Sequence, residues 1–151
     1  MIEINNLTEF ALDEKSFSQV AKIVLKGENK RNTCLPAGRE TLSLAFVGKE
    51  EIKKLNKKFR KKNKPTDVLS FEIKEPFAAV QGKKEYLGEI IICPEVVKEN
   101  AKKYGVAERY EMLKVFVHGV LHLCGYDHEI NKVEEKRMED KQNFYLSKIS
   151  F

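Results

Sequence analysis

The stretch AERYEMLKVFVHGVLHLCGYDH, residues 107–128, contains the most apolar helical pattern of the chain. Apolar residues occupy most sides of the predicted helix, which runs from Ala107 to Cys124. A helix that is apolar nearly all round is buried, so we expect it to lie in the core of the fold. Gly125 ends this helix, because glycine readily adopts the positive φ that is common at helix C-termini.

Strand and helix patterns alternate along the rest of the chain. We predict strands at 2–5, 41–47, 67–73 and 87–93, and a loop with Pro36 and Gly38 at 27–40. Further helices are predicted to begin at about Asp13, Lys49, Pro94 and Ile130. Pro65 prevents the helix from Lys49 from continuing, Gly105 ends the helix from Pro94, and the last helix ends at about Ile149. The last of these has Val133, Met138, Tyr145 and Ile149 available for packing.

The connections between these elements predict the sheet. Both strand–helix–strand crossovers favour parallel neighbours, whereas the third and fourth strands, with no helix pattern between them, favour a hairpin. The predicted fold class is therefore α+β. About five helices pack on a mixed four-stranded sheet that is mostly parallel, with one antiparallel strand.

The composition fits a single folded domain spanning residues 1–151. Hydrophobic residues make up 42% of the chain and charged residues 34%, as in soluble globular proteins. No apolar run approaches the roughly 20 residues of a membrane span, and the N-terminus MIEINNLTEF lacks the basic and apolar regions of a signal peptide. Cys34, Cys93 and Cys124 form no CxxC pair, which favours reduced thiols. We therefore expect a cytoplasmic protein without membrane association.

All three histidines lie at the end of the buried helix and beyond it. His118 and His122 are four residues apart, so their imidazoles project from one helix face about one turn apart. The chain reversal at Gly125 carries His128 back towards this pair. Three protein ligands leave one coordination position open, which is typical of a catalytic zinc whose bound water loses a proton near neutral pH.

A single histidine on an apolar helix face is more often a hydrogen-bonded core residue than a metal ligand. Here two histidines at helical spacing, with a third beyond a glycine, would each need a separate partner in an apolar core. A shared metal ion satisfies all three. Zn²⁺ is the expected ion for three neutral imidazoles and a water molecule, although nickel, copper or another transition metal suits the same ligands.

The His-x3-His-x5-His spacing is similar to that of zinc peptidases, but one catalytic residue is absent. Such peptidases have a glutamate beside the first histidine as general base, where this chain has Gly119. Asp127, a carboxylate from another element such as Glu89, or a substrate hydroxyl are the candidates for that role. Two further roles are open to Asp127: accepting an imidazole N–H of a metal ligand, or capping the turn after Gly125.

A basic segment, KKLNKKFRKKNK at 53–64, has eight Lys or Arg and no acidic residue within a chain of net charge +5. Such a cluster attracts the phosphates of nucleic acids, although a run of lysines alone is more often a solvated helix face. Four of its residues recur at steps of four, three and four and are predicted to face one ligand: Lys53, Lys57, Arg60 and Lys64.

These motifs resemble the bacterial YbeY family of metal-dependent endoribonucleases, which act in ribosomal RNA maturation. The resemblance is carried by HGVLHLCGYDH at 118–128, PTDVLSF at 65–71, NKKFRKKNK at 56–64 and LGEIII at 87–92. It implies a zinc-peptidase-like fold, a metal held by the three histidines and a functional arginine matching Arg60. It also implies that the substrates are single-stranded RNA and ribosomal RNA precursors, with the small ribosomal subunit and its proteins as partners.

The expected function is therefore that of a zinc-dependent, single-strand-specific endoribonuclease in ribosomal RNA maturation and ribosome quality control. A metal-bound water would hydrolyse the phosphodiester, whose transition-state charge a cation and a guanidinium stabilise. Arg60 and Asp127 are the predicted catalytic residues. Arg60 also belongs to the predicted RNA contacts, with Lys53, Lys57 and Lys64. Two alternatives stay open: a zinc metallopeptidase-like hydrolase, and a non-catalytic ribosome- or RNA-binding protein whose metal only holds the fold.

Overall fold

The computed structural model describes residues 2–29, 41–72 and 86–151. The strands in these ranges are β1 (Ile2–Asn6), β2 (Thr41–Phe46), β3 (Val68–Glu72) and β4 (Tyr86–Ile92). The helices are α1 (Glu14–Asn29), α2 (Lys49–Arg60), α3 (Pro94–Tyr104), α4 (Glu108–Leu123) and α5 (Lys132–Leu146). The predicted loop at 27–40 starts later than expected, because α1 continues through Asn29. The rest of that loop, including Cys34, and the connection between β3 and β4 lie outside the described residues.

The four described strands form one mixed sheet in the order β1-β2-β4-β3. β1 pairs with β2 and β2 pairs with β4 in parallel, whereas β3 pairs with β4 antiparallel. The predicted α+β class and the single antiparallel strand are confirmed. The expectation that β2 and β3 are parallel neighbours is wrong, because β4 lies between them. β4 includes the fully buried Ile90 and Ile92, and such an apolar strand suits a position covered on both sheet faces.

Hydrophobic clusters cover both faces of the sheet. On one face, Leu44 of β2 and Ile90 of β4 belong to the main core, which also includes residues of α1, α4 and α5. On the other face, Leu69 of β3 and Ile91 of β4 pack against Ile52 of α2 in a smaller cluster. α4 therefore runs through the main core, as predicted. Along the described ranges, no helix combines the length and the apolar character needed to cross a membrane.

The C-terminal end of α2 fixes the position of the basic segment. The helix ends at Arg60, because Lys61 adopts a left-handed conformation with φ 58° and its N–H bonds back to carbonyls of the last turn. Lys64 lies in the loop that follows, where its carbonyl accepts a hydrogen bond of 2.8 Å from Nδ2 of Asn56. The prediction that Lys64 continues the helical stripe is therefore wrong.

The last helix, α5, is shorter than the sequence predicted. Asn131 precedes it, and its side chain accepts a hydrogen bond from the N–H of Glu134, which fixes the start of the helix at Lys132. Met138 and Tyr145 are buried, as predicted. Val133 is 74% exposed, so its predicted packing is wrong; it lies in the first turn, among solvent-exposed residues.

Candidate metal centre and adjoining cleft

The three histidines converge at the C-terminal end of α4. His118 and His122 lie one turn apart, with their ring centroids 4.7 Å apart. Gly125 has a φ of 98°, a conformation that residues with a Cβ rarely adopt, and the chain turns there. The ring of His128 consequently lies 5.1 Å from that of His118 and 5.0 Å from that of His122, between centroids. One ligand atom of each ring lies within 4.8 Å of the others, so the structure brings the three predicted ligands together.

The donor set of this cluster fits a transition-metal ion. Nε2 of His118 and Nε2 of His122 are 3.1 Å apart, close to the roughly 3.3 Å between two nitrogens that bind one Zn²⁺ tetrahedrally. Nδ1 of His128 is buried without a hydrogen-bond partner among the described residues, an arrangement that costs free energy unless a ligand satisfies it. Burial lowers the pKa of His118 and lowers the pKa of His122 to about 4. Both rings are therefore neutral near pH 7, the form that binds metals.

Gln142 of α5 orients the first histidine. Its Oε1 lies 2.9 Å from Nδ1 of His118. Because an amide oxygen can only accept a hydrogen bond, this contact places the ring proton on Nδ1. Nε2, which faces His122, is then unprotonated and can bind a metal ion. Sequence reasoning missed Gln142, since a glutamine in a charged helix has no local pattern that relates it to a histidine in another helix.

Gly119 packs closely against the sheet. A Cβ at this position would lie 3.0 Å from Cγ2 and 3.2 Å from Cδ1 of Ile90, and 3.2 Å from Oγ of Ser70. The Ser70 hydroxyl donates a hydrogen bond of 3.5 Å to the carbonyl of Gly119. A side chain at position 119 would therefore require Ile90 and Ser70 to shift by a few tenths of an ångström, which a close-packed interior resists. The glycine between the two helical histidines thus allows the close packing of α4 on the sheet.

A cleft of about 540 Å³ opens beside the histidines. His122 and Asp127 line it, together with Ser70 of β3 and Arg60, the last residue of α2. The guanidinium of Arg60 donates to Oε1 of Glu129 over 2.7 Å. These side chains are 41% and 57% exposed, so the ion pair is weak and a phosphate can replace the carboxylate. The cleft therefore joins an anion-binding group to the histidine cluster.

The chain is similar to known proteins over almost its whole length. A protein-family model described as Endoribonuclease YbeY matches residues 3–150. The chain belongs to the YbeY family. Relatives named Endoribonuclease YbeY from Thermotoga neapolitana, Aquifex aeolicus and Staphylococcus carnosus are 42%, 41% and 43% identical to it. The matched regions cover 74%, 72% and 70% of this chain, and 69%, 70% and 69% of the respective relatives.

A solved YbeY-like structure has the same fold. The solution structure of the Thermotoga maritima protein TM1509 superposes with a TM-score of 0.65 at 33% identity, covering 97% of this chain and 87% of that one. The YbeY membership predicted from four short motifs is confirmed, and so is the predicted fold class.

The lysines predicted to contact RNA in a YbeY-like site are separated from the cleft. Lys53, Lys57 and Arg60 are spaced by four and three residues on α2, so they share one side of that helix. Of the predicted basic residues, Arg60 alone lines the cleft as far as the structure describes the chain. Lys57 is exposed one turn before Arg60, and Lys64 is exposed in the loop after the helix. The lysines therefore lie outside the cleft that contains Arg60.

The structure separates the carboxylates that the YbeY-like site could use. Oδ1 of Asp127 accepts a hydrogen bond of 2.9 Å from the N–H of Glu129, so Asp127 stabilises the turn that carries His128. Within the described chain, Asp127 forms no hydrogen bond to a ring of the histidine cluster. Glu89 is exposed on β4 next to Ile90; since Ile90 faces α4, Glu89 points to the opposite side of the sheet. Glu89 is therefore wrong as a candidate general base.

Proposed function

We propose that this chain is a metal-dependent endoribonuclease that cleaves single-stranded RNA, with residues 1–151 forming one hydrolase domain. In this proposal His118, His122 and His128 hold the metal ion, and Arg60 binds the phosphate at the scissile bond. The observation that carries the proposal is that Arg60 and His122 line the same cleft. The names of the relatives support the reaction class, since each is called an endoribonuclease.

The residues of the chain supply most of what phosphodiester cleavage requires. When bound, Zn²⁺ or another transition metal supplies a Lewis acid that polarises a phosphoryl oxygen and lowers the pKa of a water molecule. Arg60 exchanges Glu129 for the phosphate and offers it two parallel N–H donors. Its fixed charge then stabilises the negative charge that spreads over the phosphate oxygens in the transition state.

Asp127 is the proposed acceptor of the proton that the attacking water loses. Its carboxylate lines the cleft, and the turn uses only Oδ1 among the hydrogen bonds of the described chain. Oδ2 is therefore the atom that can accept a proton from the cleft. Asp127→Asn keeps the turn hydrogen bond and removes this capacity.

We also propose that ribosomal RNA precursors are the physiological substrates, during maturation and quality control of ribosomes in the cytoplasm. The small ribosomal subunit and its proteins are the proposed partners. The concentration of eight basic residues at 53–64 supports a polyanionic substrate, because displacing counterions from phosphates favours binding.

Cleavage assays on defined variants test the proposal. The wild type, with its metal content measured, should cleave single-stranded RNA and lose this activity when a chelator is added. Arg60→Ala should lower kcat about 100-fold, as removal of a charge-stabilising donor does elsewhere, with metal content unchanged. His118→Ala should lose both metal and activity. Cleavage of casein-like substrates without cleavage of RNA would favour a peptidase; RNA binding that survives both substitutions, with no cleavage by any form, would favour a binding protein.

A further inference from the structure

A second space adjoins the histidine cluster and has no part in the cleavage step proposed above. It has a volume of about 300 Å³ and is lined by Tyr104 at the end of α3 and by Glu111, Lys114 and His118 of α4. We call it the Tyr104 recess. The three α4 residues are spaced by three and four positions, so they share one side of the helix. The recess therefore extends along α4 from the histidine cluster for about 10 Å, the rise of seven helical residues.

The Tyr104 recess and the cleft that contains Arg60 adjoin different rings of the histidine cluster. His118 lines the recess, whereas His122 lines the cleft. An RNA strand with its scissile phosphate between Arg60 and the histidines would therefore place a neighbouring nucleotide at the recess. This arrangement places the recess where a flanking base would bind.

Tyr104 presents an exposed aromatic ring with two lysine ammonium groups over it. Its side chain is 57% exposed, although it is one of the largest residues of α3. Nζ of Lys103 and Nζ of Lys114 each lie 5.8 Å from the centroid of its ring. Proteins that bind single-stranded nucleic acids use such exposed aromatic rings to stack bases and use nearby cations to hold the backbone.

Glu111 supplies the recess with an acceptor that has no hydrogen-bond partner. The residue is only 3% exposed, and its Oε2 has no hydrogen bond from any residue that the structure describes. Nζ of Lys114, the neighbouring cation, is 3.8 Å away, beyond hydrogen-bond distance. A buried carboxylate oxygen in this state costs free energy, so its presence in a recess indicates a ligand with an N–H donor.

We propose that the Tyr104 recess is a nucleobase subsite of the endoribonuclease. A base next to the scissile phosphate stacks on Tyr104 and donates an exocyclic amino N–H to Glu111. This inference rests on the proposed RNA substrate. Adenine, cytosine and guanine have an exocyclic amino group, whereas uracil has only its ring N3–H as a donor, so a subsite that binds the amino group favours the first three over uracil. A paired base cannot leave its stack without losing its pairing, so the subsite also restricts cleavage to single strands.

Fluorescence of a substituted Tyr104 tests the stacking directly. The chain contains no tryptophan, so Tyr104→Trp creates a single reporter that a stacked base will quench. In rapid mixing, before cleavage, oligoadenylate should quench this emission, whereas inorganic polyphosphate should not. Phe144→Trp is the matched control, because Phe144 is also a partly exposed ring with a lysine at 5.3 Å, on a different side of α5 from Gln142. Its emission should not change with oligoadenylate.

Cleavage kinetics test the consequence for the reaction. Tyr104→Ala should lower kcat/KM for single-stranded RNA about tenfold, the decrease expected for one stacked base, and Tyr104→Phe should retain the wild-type value. Phe144→Ala should also match the wild type. Glu111→Gln, which keeps the shape of the side chain, should lower the preference for cytosine-containing over uracil-containing RNA.

Two results would overturn the subsite. One is equal kcat/KM for wild type and Tyr104→Ala on RNA that the wild type cleaves. The other is equal quenching of the Tyr104→Trp emission by oligoadenylate and by polyphosphate, which would indicate phosphate binding alone. Either result leaves the nuclease proposal intact. A wild type that cleaves no RNA would instead overturn the proposed function, together with the subsite that rests on it.

Discussion

Gln142 is the residue whose contact bears most directly on metal affinity. Its Oε1 accepts the proton of His118 Nδ1, which fixes the ring orientation and leaves Nε2 free. Gln142→Leu removes the acceptor, so we expect zinc affinity to fall by about tenfold or more. Gln142→Glu restores an acceptor and should keep the affinity. Competition with a chromophoric chelator measures both values without relying on enzymatic activity.

Gln19→Leu provides the control for that measurement. Gln19 is an exposed glutamine of α1 that does not line the histidine cluster, so its replacement should leave zinc affinity unchanged. Equal zinc affinities of the wild type and Gln142→Leu would contradict the orienting role of Gln142.

The ion pair between Arg60 and Glu129 predicts a gain of affinity. Glu129 competes with the phosphate for the guanidinium, because both bind the same N–H donors. An exposed pair contributes at most about 1 kcal/mol, so Glu129→Gln should raise affinity for single-stranded RNA by no more than about fivefold. Filter binding with a short RNA measures the change. Asp140→Asn, which breaks the exposed ion pair with Lys136 on α5, should leave the RNA affinity unchanged. A lower RNA affinity of Glu129→Gln would contradict the competition between Glu129 and the phosphate.

Single residues were predictable from sequence where their chemistry is local. The spacing of His118, His122 and His128 around a glycine predicts convergence without tertiary information, and the structure brings these residues together. Gln142 and Glu129 had no such signal, because each binds its partner across a long stretch of chain. The absence of a glutamate at position 119 was visible in the sequence, whereas the close packing of Gly119 against Ile90 of the sheet was not.

At the scale of elements, α2 is expected to steer the substrate. Lys57 is exposed one turn before Arg60 on the same side of this helix. Removing a lysine that binds a phosphate lowers the salt dependence of binding, so Lys57→Ala should reduce the slope of log K against log salt by about 1. RNA affinity measured over a series of salt concentrations gives this slope. Lys22→Ala on α1 should leave it unchanged, and a wild-type affinity that does not vary with salt would refute the steering role.

The start of α1 is held to α4 by a charged cluster that depends on pH. Hydrogen bonds from Ser16 and from Arg109 of α4 lower the pKa of Asp13 to about 2. A carboxyl group whose pKa is lower in the folded than in the unfolded chain stabilises the fold at pH values above its unfolded pKa of 3.8. This stabilisation is lost as the pH falls towards the folded pKa of about 2. Asp13→Asn should therefore be less stable than the wild type at neutral pH, with the difference shrinking below about pH 4.

Urea unfolding of both proteins at neutral and acidic pH measures that difference. A stability difference that stays constant as the pH is lowered would mean that Asp13 acts only as a neutral helix cap, without its charge.

The elements themselves were largely predictable, but their neighbours in the sheet were not. Period-two and helical patterns identified the strands and helices, and Gly105 and Pro94 marked the ends of α3. The placement of β4 between β2 and β3 was not predictable, because strand order depends on which faces the helices cover. The end of α2 at Arg60 was also missed, since the left-handed conformation of the lysine that follows it, Lys61, has no sequence signature.

At the scale of the whole molecule, a buried carboxylate joins distant parts of the chain. Glu28, near the end of α1, is fully buried and accepts hydrogen bonds from Tyr126 at 2.9 Å, from Lys141 of α5 at 3.4 Å and from Tyr145 of α5. Tyr126 lies in the turn two residues before His128. The same network therefore supports the third histidine, which links the packing of α1 and α5 to the geometry of the metal centre.

The proposed activity depends on one ion held jointly by the three histidines. Titration of zinc into chelator-treated protein, followed by calorimetry, measures this most directly for the wild type and for His128→Ala. We predict one ion per chain in the wild type, with the affinity greatly reduced in the variant. A wild type that binds no zinc, or a variant that binds it with the same stoichiometry and affinity, would contradict the central claim.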